Sequence, residues 1–456
     1  MMNANPAQSQ AGGRFRTRLL MVVAVLLSVF AGSSEALCFD LVVDDMLDFR
    51  FGKKLRSIHE VNAAKESLRN GDAAKCRALL AGVSKSLPDS PHPTVLFVGF
   101  LLEERQEQAA MDALAELSLD PRAKFECHFA FGRLRGKQGR WQDAWAHLLV
   151  AEQAPKPDRW SPKYWKTVQA NVREVKSIVA MGRQDWNVAH PILLEVVKER
   201  PRDAQVLRRL ATCSFHLKDV PAAKDFFQKA STADENDQLP VPVRLANLYL
   251  QTDSTDARQA AESLFKQACQ ESEKPGQLAR VQYGAWLQGQ NRPKDVLALL
   301  KDAPFDESLA REQSYLLGLA SRMLGDYPTA RDHFLRLSNS EPGNIRISNQ
   351  LALVLIEDED DKSTARALEI ALRNASRVQT EATLGTLAWV RFRRGETDEA
   401  HKILNSLTKS STVSRDIAFY LSRSLKAKGR SDEAEKMIQV VRKSAGPFYY
   451  SHQLAP

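Results

Sequence analysis

The sequence predicts an all-α fold of stacked helix-turn-helix hairpins, and three observations predict it. A small residue recurs about every 34 residues at the start of an apolar run. A glycine precedes several of these residues by about five positions, where a first helix would end. Residues that favour helices are abundant, whereas aromatic residues make up only 7% of the chain. The recurring position is occupied by Cys76, Ala109, Ala144, Ala189, Ala223, Ala261, Val296, Ala330, Ala400 and Ala434.

Each hairpin has its own sequence signals. In the clearest example, Leu317-Gly318 lies on the first helix, and Gly325 ends that helix. The positive φ expected at this turn is strained in residues that have a Cβ atom, whereas glycine adopts it readily. Ala330 then lies in the first turns of the second helix, and Phe334 follows one turn later on the same face. On this basis repeats begin near Ser57, Pro91, Phe125, Ala170, Ala204, Leu239, Gln277, Arg311, Ile345, Glu381 and Arg415.

The main interruption of the period is a stretch of about eleven extra residues at 159–169. Ser161-Pro162 has the form of an N-cap followed by a first-turn proline, so a longer helix is expected to begin there. Three aromatic residues crowd this point. They favour packing against a neighbouring hairpin, and an aromatic pad for a ligand is the alternative. These residues are Trp160, Tyr164 and Trp165.

Residues 1–36 have the features of a secretory signal peptide. Three arginines between positions 14 and 18 precede an apolar run from Leu19 to Phe30, and Ser34 and Ala36 follow it. The run is shorter than the roughly 20 residues that a membrane-spanning helix needs. The alternative is an uncleaved membrane anchor at residues 19–31. We therefore expect an exported protein, periplasmic or extracellular, that contacts a membrane only if this segment is retained.

Two flanking segments do not repeat. Residues 37–56 are expected to lead into the first hairpin, and residues 447–456 form a C-terminal tail. The tail contains three consecutive aromatic residues, Phe448 to Tyr450. Since the last hairpin of a repeat array lacks a neighbour, these side chains are expected to fold over its exposed end.

The repeated residues resemble the tetratricopeptide repeat family, whose pattern runs Trp, Leu-Gly, Tyr, Ala, Phe, Ala, Pro over 34 residues. The resemblance covers about residues 57–441 and is strongest in the repeats that begin at Phe125, Arg311, Glu381 and Arg415. It implies a right-handed superhelical solenoid, with about eleven repeats in residues 57–446. Repeats of this family usually bind peptides or other proteins along a concave face lined by their first helices.

Counting from the small positions assigns a mixture of basic and aromatic residues to that face. Such a mixture would suit an extended protein or peptide segment with acidic and apolar side chains. The alternative is that the basic residues only solvate an empty groove. The candidate groove residues are Phe129, Arg133, Lys137, Arg208, Tyr315, Arg322, Trp389, Phe392, Phe419, Arg423 and Lys426.

No sequence signal for a reaction is present. The chain has no H-E-x-x-H, G-x-S-x-G, phosphate-loop or G-x-G-x-x-G motif, and no two histidines are four residues apart. The acidic run Glu357–Asp361 lacks the spacing of a calcium loop and is interpreted as a solvated loop. The five cysteines are far apart and odd in number, which argues against a disulfide framework. We therefore expect no catalytic residue, cofactor or metal.

The net charge of +8 is small for 456 residues and predicts no binding of nucleic acid. The sequence thus favours an exported, non-catalytic scaffold that binds a protein or peptide in its groove. The alternative is a membrane-anchored accessory subunit of an envelope enzyme or of an export or assembly machine.

Overall fold

A computed structural model describes residues 59–454, except for 88, 235, 253, 271–272, 359 and 409–412. The expected leader and lead-in lie outside the described residues. Within those residues the chain forms α-helices and short 3₁₀ turns and no strands, which confirms the all-α class. No helix in the described part is long and apolar enough to cross a membrane.

The chain divides into two compact units at residues 237 and 238. The described part of the N-terminal unit contains five helical hairpins. Their helices are α1 (His59–Arg69), α2 (Ala73–Ser86), α3 (Pro93–Glu103), α4 (Glu107–Leu117), α5 (Lys124–Lys137), α6 (Trp141–Gln153), α7 (Pro162–Gly182), α8 (Trp186–Glu199), α9 (Ala204–His216) and α10 (Val220–Ala233).

The described part of the C-terminal unit contains six hairpins. Their helices are α11 (Val241–Leu250), α12 (Thr255–Ala268), α13 (Lys274–Gly289), α14 (Pro293–Leu300), α15 (Glu307–Met323), α16 (Tyr327–Ser340), α17 (Ile345–Leu355), α18 (Asp361–Arg377), α19 (Glu381–Arg393), α20 (Thr397–Leu407), α21 (Arg415–Ala427) and α22 (Ser431–Lys443). Within each unit, a second helix packs on the first helix of the next hairpin, so the hairpins stack in sequence order.

The recurring small residues lie where the two helices of a hairpin meet. Ala144 is fully buried, and a Cβ atom added to Gly132 on the facing helix would come within 2.8 Å of Leu148. The close approach therefore needs a small side chain on both helices. In the second hairpin the expected Ala109 is exposed, and its neighbour Ala110 fills the position instead, because the helix turns that residue toward α3.

The turns of nine described hairpins each place one residue in the left-handed region. Five turns use a glycine, as at Gly325 (φ +80°). Four others use a residue with a side chain, as at Asn291 (φ +56°), whose side chain contacts residues 446 and 448. The remaining three are Arg105, Gln184 and Lys218.

The predicted long helix is α7, which has 21 residues and is capped by the Ser161 hydroxyl. Before it, the indole of Trp160 donates to the Ser90 carbonyl at 3.0 Å and packs on Phe125. Trp165 also packs edge-on against Phe125, with the ring centroids 4.7 Å apart. The aromatic residues here serve packing within the N-terminal unit.

Candidate functional site

After α22 the chain turns back and crosses the first helices of its own unit. Of the expected C-terminal tail, the structure describes residues 447–454, and these residues together with Gly446 are called the tail from here on. The tail contains no helix before a single 3₁₀ turn, Ser451–Gln453. It reaches the Asn291 turn and Met323 on α15 as well as the last hairpin. The expected cover over the end of the last hairpin is therefore only part of what the tail does.

Side chains of the helical face hold the tail backbone. Asn291 accepts from the Phe448 amide at 2.7 Å and donates to the Gly446 carbonyl at 2.8 Å. Asp416 on α21 accepts from the Tyr449 amide at 3.1 Å. These contacts hold an irregular backbone segment that has no strand partner.

An aromatic cluster receives the side chain of Tyr450, which is fully buried. Its ring stacks on Phe419 at a centroid distance of 5.1 Å and an angle of 19°. It also meets the edge of Trp389 at 5.3 Å, and Trp389 stacks on Tyr420 at 4.5 Å. Aromatic pairs in these geometries contribute about 0.5–1.5 kcal/mol each beyond the area that they bury.

Arg322 supplies a positive charge beneath the same rings. Its guanidinium carbon lies 4.8 Å from the ring centroid of Tyr449 and 5.1 Å from that of Tyr450. Its Nη1 donates to Gln350 at 2.6 Å, and Asp416 lies 3.8 Å from Nη2. Burial raises the pKa of the Asp416 carboxyl, and Arg322 and the Tyr449 amide act in the opposite direction. Because arginine keeps its charge, the Arg322 guanidinium is a cation that lies against aromatic faces in a poorly solvated site.

The far end of the tail rests on the turn between α15 and α16. The Tyr327 hydroxyl and the His452 Nε2 atom are 3.0 Å apart, and His452 Nδ1 lies 3.3 Å from the Met323 carbonyl. The Gln453 carbonyl accepts from Arg423 at 3.4 Å, which is long for such a bond.

Beside Gln453 lies an open cavity of about 450 Å³. Its lining combines aromatic and basic side chains, namely Trp389, Phe392, Arg393, Arg423, Lys426, Ala427 and Gln453. Glu357 pairs with Arg393 and accepts from the Trp389 indole at 3.0 Å. Within the described residues, no carboxylate pairs with Arg423 or Lys426, so the cavity keeps two positive charges for a ligand.

The acidic run is solvated only in part: Asp360 and Asp361 are exposed, whereas Glu357 and Asp358 make ion pairs. The side chain of Glu357 is 3% exposed, and Asp358 accepts from Arg331 at 2.6 Å. Asp360 caps α18 through the Ser363 amide. The run therefore supports the face of the C-terminal unit and the start of its next helix.

The candidate groove residues fall into two groups. Six of them lie at the tail or the cavity: Arg322, Trp389, Phe392, Phe419, Arg423 and Lys426. Tyr315, on α15 with Arg322, packs instead under the guanidinium of Arg346 at 4.0 Å.

The other four belong to the N-terminal unit. Phe129, Arg133 and Lys137 share α5, where Phe129 and Arg133 are buried against each other. Arg208 on α9 is paired with Asp234 at 2.9 Å and with Asp237 at 2.6 Å. Arg322, Trp389 and Phe419 are buried, and Tyr450 of the tail contacts each of them.

Several residues of the site carried no sequence signal. Asp416, Tyr420 and Asn291 were not among the candidates, although each contacts the tail or its cluster. The one available signal was the run of three aromatic residues at 448–450, whose destination a repeat count does not reveal.

No group of three or more histidine, cysteine, aspartate or glutamate side chains in the described part could hold a metal ion. The four described cysteines are unpaired, and Cys76 is fully buried in the recurring small position. The contacts of the site are ring stacking, cation–π contact and hydrogen bonding to a peptide backbone.

Comparison with known proteins identifies the repeat. Residues 176–237, which contain the end of α7 and all of α8 to α10, match the family model described as Tetratricopeptide repeat. The match shows a tetratricopeptide repeat in this stretch, and the same hairpins with buried small residues recur along the described chain. No curated protein sequence matches the chain.

Solved structures that match the chain include the P58(IPK) TPR domain, with 14% identity over 84% of this chain and 99% of that one (TM-score 0.24). Yeast Tom70 has 12% identity over 86% of this chain and 92% of its own (TM-score 0.31). PilW, titled a widely conserved type IV pilus biogenesis factor, has 16% identity over 55% of this chain and 96% of its own (TM-score 0.29).

Proposed function

We propose that this protein is a non-catalytic scaffold that binds an extended segment of a partner protein across the first helices of its C-terminal unit. The tetratricopeptide repeat fold itself suggests a protein–protein interaction scaffold. The proposal adds the location and the kind of ligand.

One observation supports the proposal: this face already holds a segment without α-helix or strand, the tail. Asn291 and Asp416 bind the tail's main chain, so the face can bind backbone atoms that any peptide has. Trp389, Phe419 and Arg322 surround an aromatic side chain. A partner segment with aromatic residues would make the same contacts.

The open cavity adds a requirement for charge. Because Arg423 and Lys426 have no carboxylate partner among the described residues, an acidic side chain of the ligand would be favoured there. We therefore expect the partner segment to carry adjacent aromatic residues followed by an acidic one.

The test compares charge reversals on two faces. The partner is identified by cross-linking in the native host, and its affinity is then measured with purified proteins. The double variant Arg423→Glu, Lys426→Glu should bind at least about ten-fold more weakly, because two attractive charges become repulsive. The matched control, Lys402→Glu with Lys436→Glu, reverses two exposed lysines on α20 and α22 and should leave the affinity unchanged. Equal losses in both variants would refute this site.

We also propose that the protein is exported behind residues 1–36, as the basic start and the short apolar run suggest. Mass spectrometry of the mature N-terminus tests this. A new N-terminus close to Ala36 is expected, and an intact Leu19 to Phe30 segment would instead support a membrane anchor.

A further inference from the structure

We propose that the tail is a reversible intramolecular ligand of this face and that a partner binds by displacing it. The inference rests on the proposed function, since it concerns the same site. It assigns the partner segment two adjacent aromatic side chains that take the places of Tyr449 and Tyr450.

The tail resembles a ligand more than a part of the repeat. Side chains of the helical face hold its main chain between Gly446 and Tyr449, and its own regular structure in the described residues is limited to the 3₁₀ turn Ser451–Gln453. Its aromatic side chains enter a site formed by α15, α19 and α21, which are separate first helices. A segment bound in this way can leave without breaking a helix.

The tail is also an imperfect ligand. The Tyr420 and Tyr450 hydroxyls are 3.5 Å apart, and Ser451 lies 3.4 Å from the Met323 carbonyl. Hydrogen bonds of this length are weak. Within the described residues, the buried Arg322 Nε and Gln288 Oε1 atoms on the same face find no hydrogen-bond partner.

An unpaired buried polar atom is unfavourable, so a segment that reached these two atoms would bind better than the tail. The cavity beside Gln453 likewise remains open when the tail is in place. These groups identify the ligand that would replace the tail: an extended segment with two adjacent aromatic residues, a polar group for Gln288 and an acidic residue for Arg423.

Because the tail is covalently attached, it competes at an effective concentration in the millimolar range. A partner's apparent affinity equals its intrinsic affinity multiplied by the fraction of molecules whose tail is unbound. Weakening the tail alone should therefore strengthen the binding of a competing segment without any change to the face.

The experiment uses the full chain and a fluorescent synthetic peptide with the sequence of residues 445–456. Binding is followed by fluorescence anisotropy. The peptide should bind the Tyr450→Ala chain at least about ten-fold more tightly than the wild-type chain, because that tail no longer fills the aromatic cluster. A Tyr249→Ala chain, changed at a partly buried tyrosine of α11, should behave like the wild type.

A peptide with alanine at both tyrosine positions should not bind either chain. If the unaltered peptide fails to bind a Tyr450→Ala chain that keeps its helical circular dichroism and thermal transition, the tail is a fixed part of the fold and the inference is refuted. Wild-type chains that dimerise through exchanged tails would assign the face to a second copy and would also overturn the inference.

Hydrogen exchange of the wild-type chain provides a second measurement, which does not depend on how a variant folds. The amides of Phe448 and Tyr449 should exchange by local opening, well before the amides of α19 and α21. Exchange of these amides only on global unfolding would refute a reversible tail.

The two proposals fail separately. Peptide binding without any effect of the Arg423 and Lys426 reversals on the partner would refute only the proposed function. An effect of those reversals without peptide binding would refute only the displaceable tail.

Discussion

Because the two helices of a hairpin are in close contact, adding one methyl group between them should lower the free energy of unfolding. In the third hairpin, a Cβ atom at position 132 would lie 2.8 Å from both Cγ and Cδ2 of Leu148 and 3.4 Å from the Ala144 carbonyl oxygen. Leu148 and Ala144 are fully buried, so neither can move away without disturbing the core. Gly132→Ala should therefore force α5 and α6 apart.

The magnitude follows from two opposing effects. Overpacking a well-packed core costs about 1–3 kcal/mol, whereas replacing a helical glycine by alanine contributes about 1 kcal/mol of helix propensity. The free energy of unfolding should therefore fall by up to about 2 kcal/mol. Gly82→Ala is the matched control in α2, because a Cβ atom there meets nothing within 4 Å. That variant should be more stable by about 0.5–1 kcal/mol.

Urea unfolding followed by far-ultraviolet circular dichroism measures both variants against the wild type. The two changes are chemically identical and both lie in helices of the N-terminal unit, so propensity alone predicts the same sign for each. A Gly132→Ala chain as stable as the Gly82→Ala chain would refute the close contact between α5 and α6.

Three further predictions concern stability and accessibility. Ala330→Leu should lower the free energy of unfolding by about 1–3 kcal/mol, because Ala330 is fully buried. Ala365→Leu, on the exposed face of α18, should change it by less than about 0.5 kcal/mol. Similar urea midpoints for the two variants would contradict the repeat register. Burial lowers the pKa of His128 and of His147, whose Nδ1 atoms are 2.9 Å apart. The unfolded chain therefore binds more protons below the ordinary pKa of 6.5, and stability should fall as the pH decreases from about 7.5 to about 5.5. His147→Phe should make the decrease smaller, and an unchanged pH dependence would contradict this origin. Burial raises the thiol pKa of Cys76 and of Cys127 to about 11 and that of Cys213 to about 12. Mass spectrometry after thiol labelling of the native chain at neutral pH should therefore find these three cysteines unmodified. Rapid labelling would contradict their burial.

The hairpins could be predicted from sequence because their signals are local and repeated. A glycine turn and a small residue five positions later, such as Gly325 and Ala330, specify one hairpin without reference to the rest of the chain. Where two alanines are adjacent or nearly so, the pattern leaves the register open, and packing decides. Packing buries Ala110 rather than Ala109, and Ala367 rather than Ala365.

The candidate site was predictable only in part. Counting along first helices brought Trp389, Phe392, Arg423 and Lys426 to one cavity, since all four lie on α19 and α21 at helical spacing. The same counting could not predict the tail, because its contacts obey no period. Ser451 and the Met323 carbonyl, for example, are 128 residues apart in the chain.

The burial of Arg322 shows the physical reason most clearly. A lone arginine on the inner side of a first helix is indistinguishable in sequence from a solvated one. Its neighbours Tyr449 and Tyr450 arrive from the end of the chain and exclude water from it. The change from an open groove residue to a buried cation is therefore a property of the folded tail.

The most direct test of the account is site-specific photo-cross-linking at the face of the C-terminal unit. Lys426 is exposed at the open cavity on α21, and Lys402 is equally exposed on the second helix α20. Each is replaced in turn by p-benzoylphenylalanine in the full chain, and irradiation is carried out with the partner present. The account predicts an adduct between the partner and position 426, with none at position 402. An adduct at position 402 alone would contradict it.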